Sequence, residues 1–278
     1  MKSYNENKVV IEAGTKELHY WRDIWSFREL FFFLTWRDIK VRYKQAVLGA
    51  FWAVLQPLLT MIIFTVIFSR VAKLETEGAA PYAIMVYCAL LPWRLFSDAL
   101  ASSSESLLVN RNMISKIYFP RIIIPLSAIM TKLVEFFISF AVLIALMVYY
   151  KFLPSQNIIF LPLFLILCLI ISSAVGLGIS AMNVQFRDFK YIVPFAIQMG
   201  LYISPVGFKS SIVPEKWRFL YSLNPMVGVI DGFRWCILGG TGNFYVPGLV
   251  ISISMTIITF MISYKIFRST EKTFADKI

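Results

Sequence analysis

Long apolar runs dominate this chain and set its predicted architecture. A helix needs about 20 apolar residues to cross about 30 Å of hydrocarbon. Six runs approach that length, and the fifth is the shortest; they cover residues 48–69, 82–108, 122–150, 158–184, 191–206 and 244–267. The pattern predicts an all-α integral membrane protein with six transmembrane helices, which form a domain over residues 48–267 and leave both termini on one side.

The segment between the last two runs, residues 207–243, is apolar but interrupted by prolines and glycines. Its pieces are too short to cross a bilayer. Such irregular backbone is tolerated at membrane depth only where protein or water satisfies its polar groups. We therefore predict two short re-entrant or interfacial helices on the outer side, before the last span.

Residues 25–44, WSFRELFFFLTWRDIKVRYK, have the spacing of a helix but carry too many charges to span. Apolar side chains fall in two stripes, the first of Trp25, Phe32, Trp36, Ile39 and Tyr43, the second of Phe27, Leu30, Phe31, Leu34 and Val41. Basic and aromatic residues on one helix favour the cytoplasmic membrane surface. We predict an amphipathic interface helix within a cytoplasmic segment 1–47; an ordinary packing helix is the alternative.

Composition excludes a soluble or disordered chain and explains the net charge. Hydrophobic residues make up 58% of the sequence and charged residues 15%, whereas a soluble protein averages about 45–50% and about 25%. Of the 27 Lys and Arg residues, 18 fall in segments predicted to be cytoplasmic and 7 in outer segments. This bias predicts cytoplasmic termini, including a tail at 268–278, for a multi-pass protein of the cytoplasmic membrane. The charge of +11 therefore indicates membrane orientation rather than a nucleic-acid partner.

The sequence lacks the common motifs of catalysis and nucleotide binding. It has no phosphate-binding loop, no zinc-protease motif, one histidine, and three cysteines without metal or disulfide spacing. We expect no catalytic residue, metal or cofactor in this chain. The run GLGIS at 176–180 resembles a glycine-rich loop, but Ser172, Gly176 and Ser180 have the spacing of a helix-packing face.

Ionisable residues inside the predicted spans are costly and therefore informative. Arg94, Asp98 and Glu105 are predicted to form one polar stripe on the second span, with Arg94 and Asp98 paired one turn apart. Lys132 and Glu135 lie one turn apart on the third. The set is either a structural ion-pair network or the lining of a water-filled conduit. Its carboxylates also suit a proton-coupled carrier or, less well, an intramembrane enzyme.

Six motifs resemble, in order, those of the membrane subunits of type-2 ABC exporters for polysaccharides (O-antigen, capsule and teichoic-acid permeases). They are RDIKVRYKQAVLGAFWAVLQP (37–57), LLPWRLF (90–96), SLLVNRNMISKIYFPRIIIPLS (106–127), NVQFRDFKYIVPF (183–195), SPV (204–206) and LNPM (223–226). The resemblance implies a homodimer with two copies of a separate ABC ATPase subunit that holds ATP and Mg²⁺. It also implies export of a lipid-linked polysaccharide across the cytoplasmic membrane. An exporter of drugs or small lipids is the alternative within the class.

The resemblance also assigns sites. Residues 110–120 would contain the helix that couples to the ATPase, with Arg111, Met113, Ile114, Lys116, Ile117 and Tyr118 as contacts. The broken outer segment would close the translocation path, for which we name Trp93, Arg94, Asp98, Glu105, Phe208, Trp217, Tyr221 and Trp235 as candidates. Arg94 departs from the family pattern, in which an uncharged and often aromatic residue follows the Pro-Trp pair.

Aromatic residues recur along the outer segment, and two explanations stay open. Phe208, Trp217, Phe219, Tyr221, Phe233 and Trp235 either anchor it at the membrane surface or pack against sugar rings. Arg218 and Arg234 would add attraction for an acidic glycan or a lipid phosphate. The sequence leaves open which glycan moves, whether its end is capped and whether the host has an outer membrane.

Overall fold

A computed structural model describes residues 17–44, 47–73, 80–186, 188–239, 245–272 and 274. Regular structure in these ranges is entirely helical, which confirms the all-α class. The α-helices are α1 Glu17–Ser26, α2 Arg28–Lys44, α3 Val47–Phe64, α4 Tyr82–Val109, α5 Arg111–Ile114, α6 Ile123–Tyr149, α7 Leu161–Gln185, α8 Phe189–Ile203, α9 Glu215–Tyr221, α10 Pro225–Leu238 and α11 Val246–Glu271.

Five helical stretches are long and apolar enough to cross a membrane: Val54–Val71, Tyr82–Val109, Ile123–Tyr149, Gln156–Gln185 and Val246–Glu271. The first joins α3 to a π-helix, Thr65–Val71, and the fourth adds a 3₁₀ turn to α7. The fifth predicted span corresponds to α8, whose 15 residues extend about 22 Å at about 1.5 Å per residue. That helix is shorter than the hydrocarbon core is thick.

Helix α4 lies at the centre of the fold because small residues let its neighbours approach it closely. It packs mainly against α6 and α7, and α7 packs in turn against α11. A Cβ atom added to Gly176 of α7 would lie 2.7 Å from the Ser103 hydroxyl of α4, and one added to Gly178 would lie 2.6 Å from Ser263 of α11. The predicted packing role of the 176–180 run is therefore confirmed.

The predicted single helix over residues 25–44 is wrong in its extent. Two helices, α1 and α2, meet at Phe27, and α1 begins at Glu17. Tertiary packing also divides each apolar stripe into more buried and more exposed residues. Leu34 of the second stripe is buried against the end of the bundle, whereas Trp25, Phe32 and Trp36 of the first stripe are exposed. Trp25, Phe32 and Trp36 are therefore available to a membrane surface, whereas Ile39 and Tyr43 of the same stripe are half-buried and Val41 of the second stripe is exposed.

A second, smaller core lies at the end of the bundle where α4 connects to α6. We call it the loop-end core; its buried residues are Leu34, Leu107, Ile114, Phe119, Ile122, Ile123, Ile124, Leu177, Ala181, Val184, Phe267 and Phe274. Glu271 links three segments around the loop-end core. Its carboxylate accepts hydrogen bonds from the Tyr20 hydroxyl (3.2 Å), the Arg121 backbone amide (3.0 Å) and the Arg268 guanidinium (2.7 Å). Burial, with Glu271 nearby, raises the pKa of Tyr20, which therefore stays a donor.

The outer segment contains the two predicted helices, α9 and α10, after a 3₁₀ turn at Ser210–Ile212. The Asn224 side chain caps α10 by accepting from the Met226 amide at 3.0 Å. Gly239 ends the helix at φ +62°, a left-handed conformation that glycine adopts without strain. Residues 240–243 of the predicted segment, residues 1–16 and 45–46 of the predicted N-terminal segment, and residues 273 and 275–278 of the predicted tail lie outside the described residues.

Candidate translocation and coupling sites

Charged residues from three helices, α2, α4 and α6, meet in one polar pocket to which α3 adds an uncharged side chain. We call it the charged pocket; it has a volume of about 120 Å³ and is lined by Arg42 of α2, Gln56 of α3, Leu91, Arg94, Leu95 and Asp98 of α4, and Lys132, Glu135, Phe136 and Ser139 of α6. The helices that form it all belong to one copy of the chain.

Glu135 is the centre of the ion pairs in this pocket. Its carboxylate lies 3.3 Å from the Lys132 ammonium, which confirms the predicted spacing of one turn, and 3.0 Å from the Arg42 guanidinium. The contact with Arg42 joins the interface helix to a span, and the sequence carried no signal for it. The predicted Arg94–Asp98 pair is wrong, because no ion pair within 4.0 Å joins these two described residues.

The predicted polar stripe on α4 is divided by tertiary packing. Arg94 and Asp98 line the charged pocket, whereas Glu105 is exposed and lies outside it. Trp93 points to another neighbour: it is buried, and a Cβ atom added to Gly200 of α8 would lie 2.6 Å from its ring. The four candidate path residues on α4 therefore occupy three different environments.

The aromatic residues of the outer segment do not share one surface. Phe233 is buried and packs edge-to-face against Phe136, with ring centroids 6.1 Å apart. Trp235 is half-buried, 5.7 Å from the Phe160 ring, and the Tyr221 hydroxyl donates to the Ile203 carbonyl at 2.9 Å. The side chains of Trp217 and Phe219 are exposed, and Phe208 is half-buried.

The two arginines of this segment both have structural contacts, and the expectation that they attract an acidic glycan or a lipid phosphate stays a prediction. Arg234 is 1% exposed and donates to the carbonyls of Val206 (2.8 Å) and Phe208 (2.7 Å). The Tyr82 hydroxyl donates to the Gly207 carbonyl between them. Arg218 donates to the carbonyls of Ser211 and Val213, which holds α9 against the preceding turn.

The predicted coupling segment divides into buried and exposed residues. Helix α5 is four residues long, and its Ile114 is 5% exposed within the loop-end core, with Met113 packed beside it. Ile117 and Tyr118 are each 60% exposed, and Arg111 and Lys116 are exposed around them. The Arg37 guanidinium of α2 donates to the Asn110 side chain at 3.0 Å, a link that the sequence did not indicate.

The described residues contain no group of three or more His, Cys, Asp or Glu side chains that could hold a metal ion. Cys88, Cys168 and Cys236 are buried, and they form no disulfide within the described part of the chain. The polar chemistry in this part of the chain is therefore that of guanidinium, ammonium, carboxylate and hydroxyl groups within a largely apolar bundle.

Comparison with known proteins assigns the family. A model of the ABC-2 type transporter family matches residues 29–238, which include α2 to α10. The chain belongs to the ABC-2 type transporter family. The match confirms the resemblance drawn from the six sequence motifs, and with the five long apolar helices it makes the chain the multi-pass membrane subunit of a transporter.

Three relatives match along most of their length. The chain is 30% identical to an O-antigen export system permease protein RfbA of Klebsiella pneumoniae over 232 residues, which cover 81% of this chain and 88% of the relative. It is 26% identical to the RfbA permease of Myxococcus xanthus, covering 92% of this chain and 98% of the relative. It is 24% identical to the polysialic acid transport protein KpsM of Escherichia coli, covering 85% and 91%.

Proposed function

We propose that this chain is the permease subunit of an ATP-driven exporter that moves a lipid-linked polysaccharide of the O-antigen type across the cytoplasmic membrane. The observation that carries the proposal is the match to permeases named for O-antigen and polysialic acid transport, over 88–98% of those relatives. The five long apolar helices and the broken outer segment agree with it.

The energy source in this proposal is a separate ABC ATPase, present in two copies, which binds ATP and Mg²⁺. The sequence of this chain has no phosphate-binding loop. The support in the structure is the exposed part of the coupling segment, where Ile117 and Tyr118 directly follow the exposed Lys116 and Arg111 is exposed upstream. Exposed apolar side chains flanked by charges are typical of a docking surface with a few anchoring residues.

The conduit in this proposal forms between two copies of the chain. Helix α8 supports the homodimer because its apolar side chains Tyr191, Phe195, Tyr202 and Ile203 are exposed and Val193 is its one buried residue. A helix of about 22 Å is too short to cross a bilayer of about 30 Å surrounded by lipid alone. A second copy of the chain packed against α8 would cover this exposed apolar face. The short helix α8 could then serve as the sixth membrane-crossing helix.

The orientation in this proposal has both termini and the coupling segment in the cytoplasm, and the excess of Lys and Arg in those segments supports it. Ser115 and Ser211 are exposed at opposite ends of the bundle and give a matched pair for cysteine labelling. In a variant without the three native cysteines, Ser211→Cys should react with an impermeant maleimide in intact cells, and Ser115→Cys only after lysis. Reaction of both cysteines in intact cells would disprove this orientation. Glu75, in the loop after the first predicted span, would be an alternative outer labelling position, but it lies outside the described residues.

The function itself is tested in proteoliposomes that contain the permease, its partner ATPase and a lipid-linked glycan. We expect the glycan to cross the bilayer only with ATP and Mg²⁺, and transfer to persist when an uncoupler removes the proton gradient. An ATPase variant without its phosphate-loop lysine is the matched control and should give no transfer. Transfer that needs a proton gradient and no ATP would instead support a proton-coupled carrier. ATP-driven movement of small amphiphiles with no glycan transfer would support the drug or small-lipid exporter.

A further inference from the structure

The charged pocket has an excess of positive charge. Three cations, Arg42, Arg94 and Lys132, surround two carboxylates, Asp98 and Glu135. Glu135 is shared by Arg42 and Lys132, while the side chains of Arg94 and Asp98 make no hydrogen bond and no ion pair within 4.0 Å in the described part of the chain. Charges removed from bulk water are costly unless they are paired. The pocket therefore suits a ligand with one negative charge and a hydrogen-bond donor.

A further donor lies on the same helix as Arg42. The Tyr43 hydroxyl is buried and has no hydrogen-bond partner among the described residues. Burial and the nearby Glu135 carboxylate raise the pKa of Tyr43, so the hydroxyl stays protonated at neutral pH. Tyr43 is not among the residues that line the charged pocket, so this donor lies beside the site and not within it.

The depth of the pocket matches the edge of the hydrocarbon core. Asp98 lies about 24 Å along α4 from Tyr82, and Lys132 lies about 26 Å along α6 from Tyr149, at about 1.5 Å per residue. A hydrocarbon core of about 30 Å that starts at those helix ends would reach its far boundary a few ångströms beyond these residues. Arg42 is half exposed at the end of the interface helix α2, at the mouth of the pocket.

We propose that the charged pocket binds the phosphodiester headgroup of a membrane phospholipid. The phosphate oxygens accept hydrogen bonds from the Arg94 and Arg42 guanidinium groups, and its single negative charge balances the excess cation. The Asp98 carboxylate accepts a hydrogen bond from a hydroxyl or ammonium group at the end of the headgroup. The acyl chains lie along the exposed apolar face of α3, which includes Leu59, Ile62 and Ile63.

The bound lipid would have a structural consequence. It would join the interface helix α2 and the first span α3 to α4 and α6 at the membrane boundary, where Glu135 already links α2 to α6. This inference does not depend on the glycan-export function, because phospholipid binding is measured without substrate or ATP.

Native mass spectrometry of the full chain with its ATPase partner, titrated with lipids of identical acyl chains, tests the proposal. We expect retention of phosphatidylglycerol and phosphatidylethanolamine, whose headgroups contain donors, to exceed that of phosphatidylcholine, whose headgroup has none. Arg94→Gln should weaken phosphatidylglycerol binding roughly tenfold or more, because it removes a charge-assisted hydrogen bond. Arg70→Gln, at an exposed position in the π-helix, is the matched control and should bind like the unmodified protein.

A second variant keeps the test informative if Arg94→Gln fails to fold, which size-exclusion chromatography would detect. Asp98→Asn removes the carboxylate acceptor and should abolish the preference for phosphatidylethanolamine over phosphatidylcholine while phosphatidylglycerol still binds. Equal binding of all three phospholipids, or unchanged binding in a folded Arg94→Gln variant, would overturn the proposal. Displacement of phosphatidylglycerol by inorganic phosphate would assign the pocket to a free anion. Stronger binding of polyprenyl diphosphate, lost in Arg94→Gln, would assign it to the substrate; both results reject the phospholipid.

Discussion

Replacing Tyr118 by Ala, alone or with Ile117→Ala, should stop export while leaving the permease folded in the membrane. Both side chains are 60% exposed beside the loop-end core, so their removal leaves no cavity in the bundle. Anchoring residues of an interface each contribute about 2 kcal/mol or more to binding, which corresponds to roughly a 30-fold loss of affinity for the ATPase. The measurement is co-purification of the tagged ATPase with the permease in mild detergent, together with the amount of glycan at the cell surface.

Tyr149→Ala is the matched control, because Tyr149 is 78% exposed at the opposite end of α6 and should tolerate truncation. Ile114→Asp is not a suitable test of docking: Ile114 is 5% exposed, and a buried carboxylate would destabilise the loop-end core itself. If the Tyr118 and Ile117 variants both retain the ATPase and export normally, the coupling segment is not the docking site.

Trp217→Ala should lower glycan export about threefold to tenfold, and Trp217→Phe should retain most of it. Trp217 is 53% exposed on α9, so its ring is accessible to a sugar chain. An aromatic contact contributes about 0.5–1.5 kcal/mol beyond its buried area, and a flat ring packs on sugar CH faces without fixed hydrogen-bond directions. Such contacts suit a polymer that must slide. The measurement is surface glycan against cytoplasmic lipid-linked glycan, at equal permease expression.

The structure favours Trp217 over the other aromatic candidates as a probe. The Tyr221 hydroxyl donates a hydrogen bond to the Ile203 carbonyl, and the Trp235 ring packs against the Phe160 ring. Truncating Tyr221 or Trp235 would therefore also remove a structural contact. Trp25→Ala is the matched control, since Trp25 is a similarly exposed tryptophan on α1. Equal export by the Ala and Phe variants of Trp217, both at normal levels, would leave only an anchoring role at the membrane surface.

The sequence alone predicted the helical class, the position of five long spans and the two outer helices, and the order of its motifs indicated the family. These features follow from local properties of the chain. An apolar run of about 20 residues must satisfy its backbone as a helix wherever it meets lipid, and prolines and glycines interrupt helices through their own backbone geometry. The Lys132–Glu135 pair was predictable for the same reason, because one helical turn sets its distance.

Tertiary structure decided which face of each helix meets which neighbour. Helical spacing predicted two stripes on the interface helix, but only packing against the loop-end core assigns Leu34 to the interior and Trp36 to the exterior. In the same way Arg234 was predicted to attract a ligand, yet its guanidinium satisfies two backbone carbonyls of the turn before α9. Glu135 is joined to Arg42, 93 positions earlier in the sequence, and Arg94 is left without Asp98 as a partner. The helical repeat fixes the direction in which a side chain points from its own helix. Which residue that side chain contacts depends on how the other helices pack around it, and no local sequence pattern encodes that arrangement.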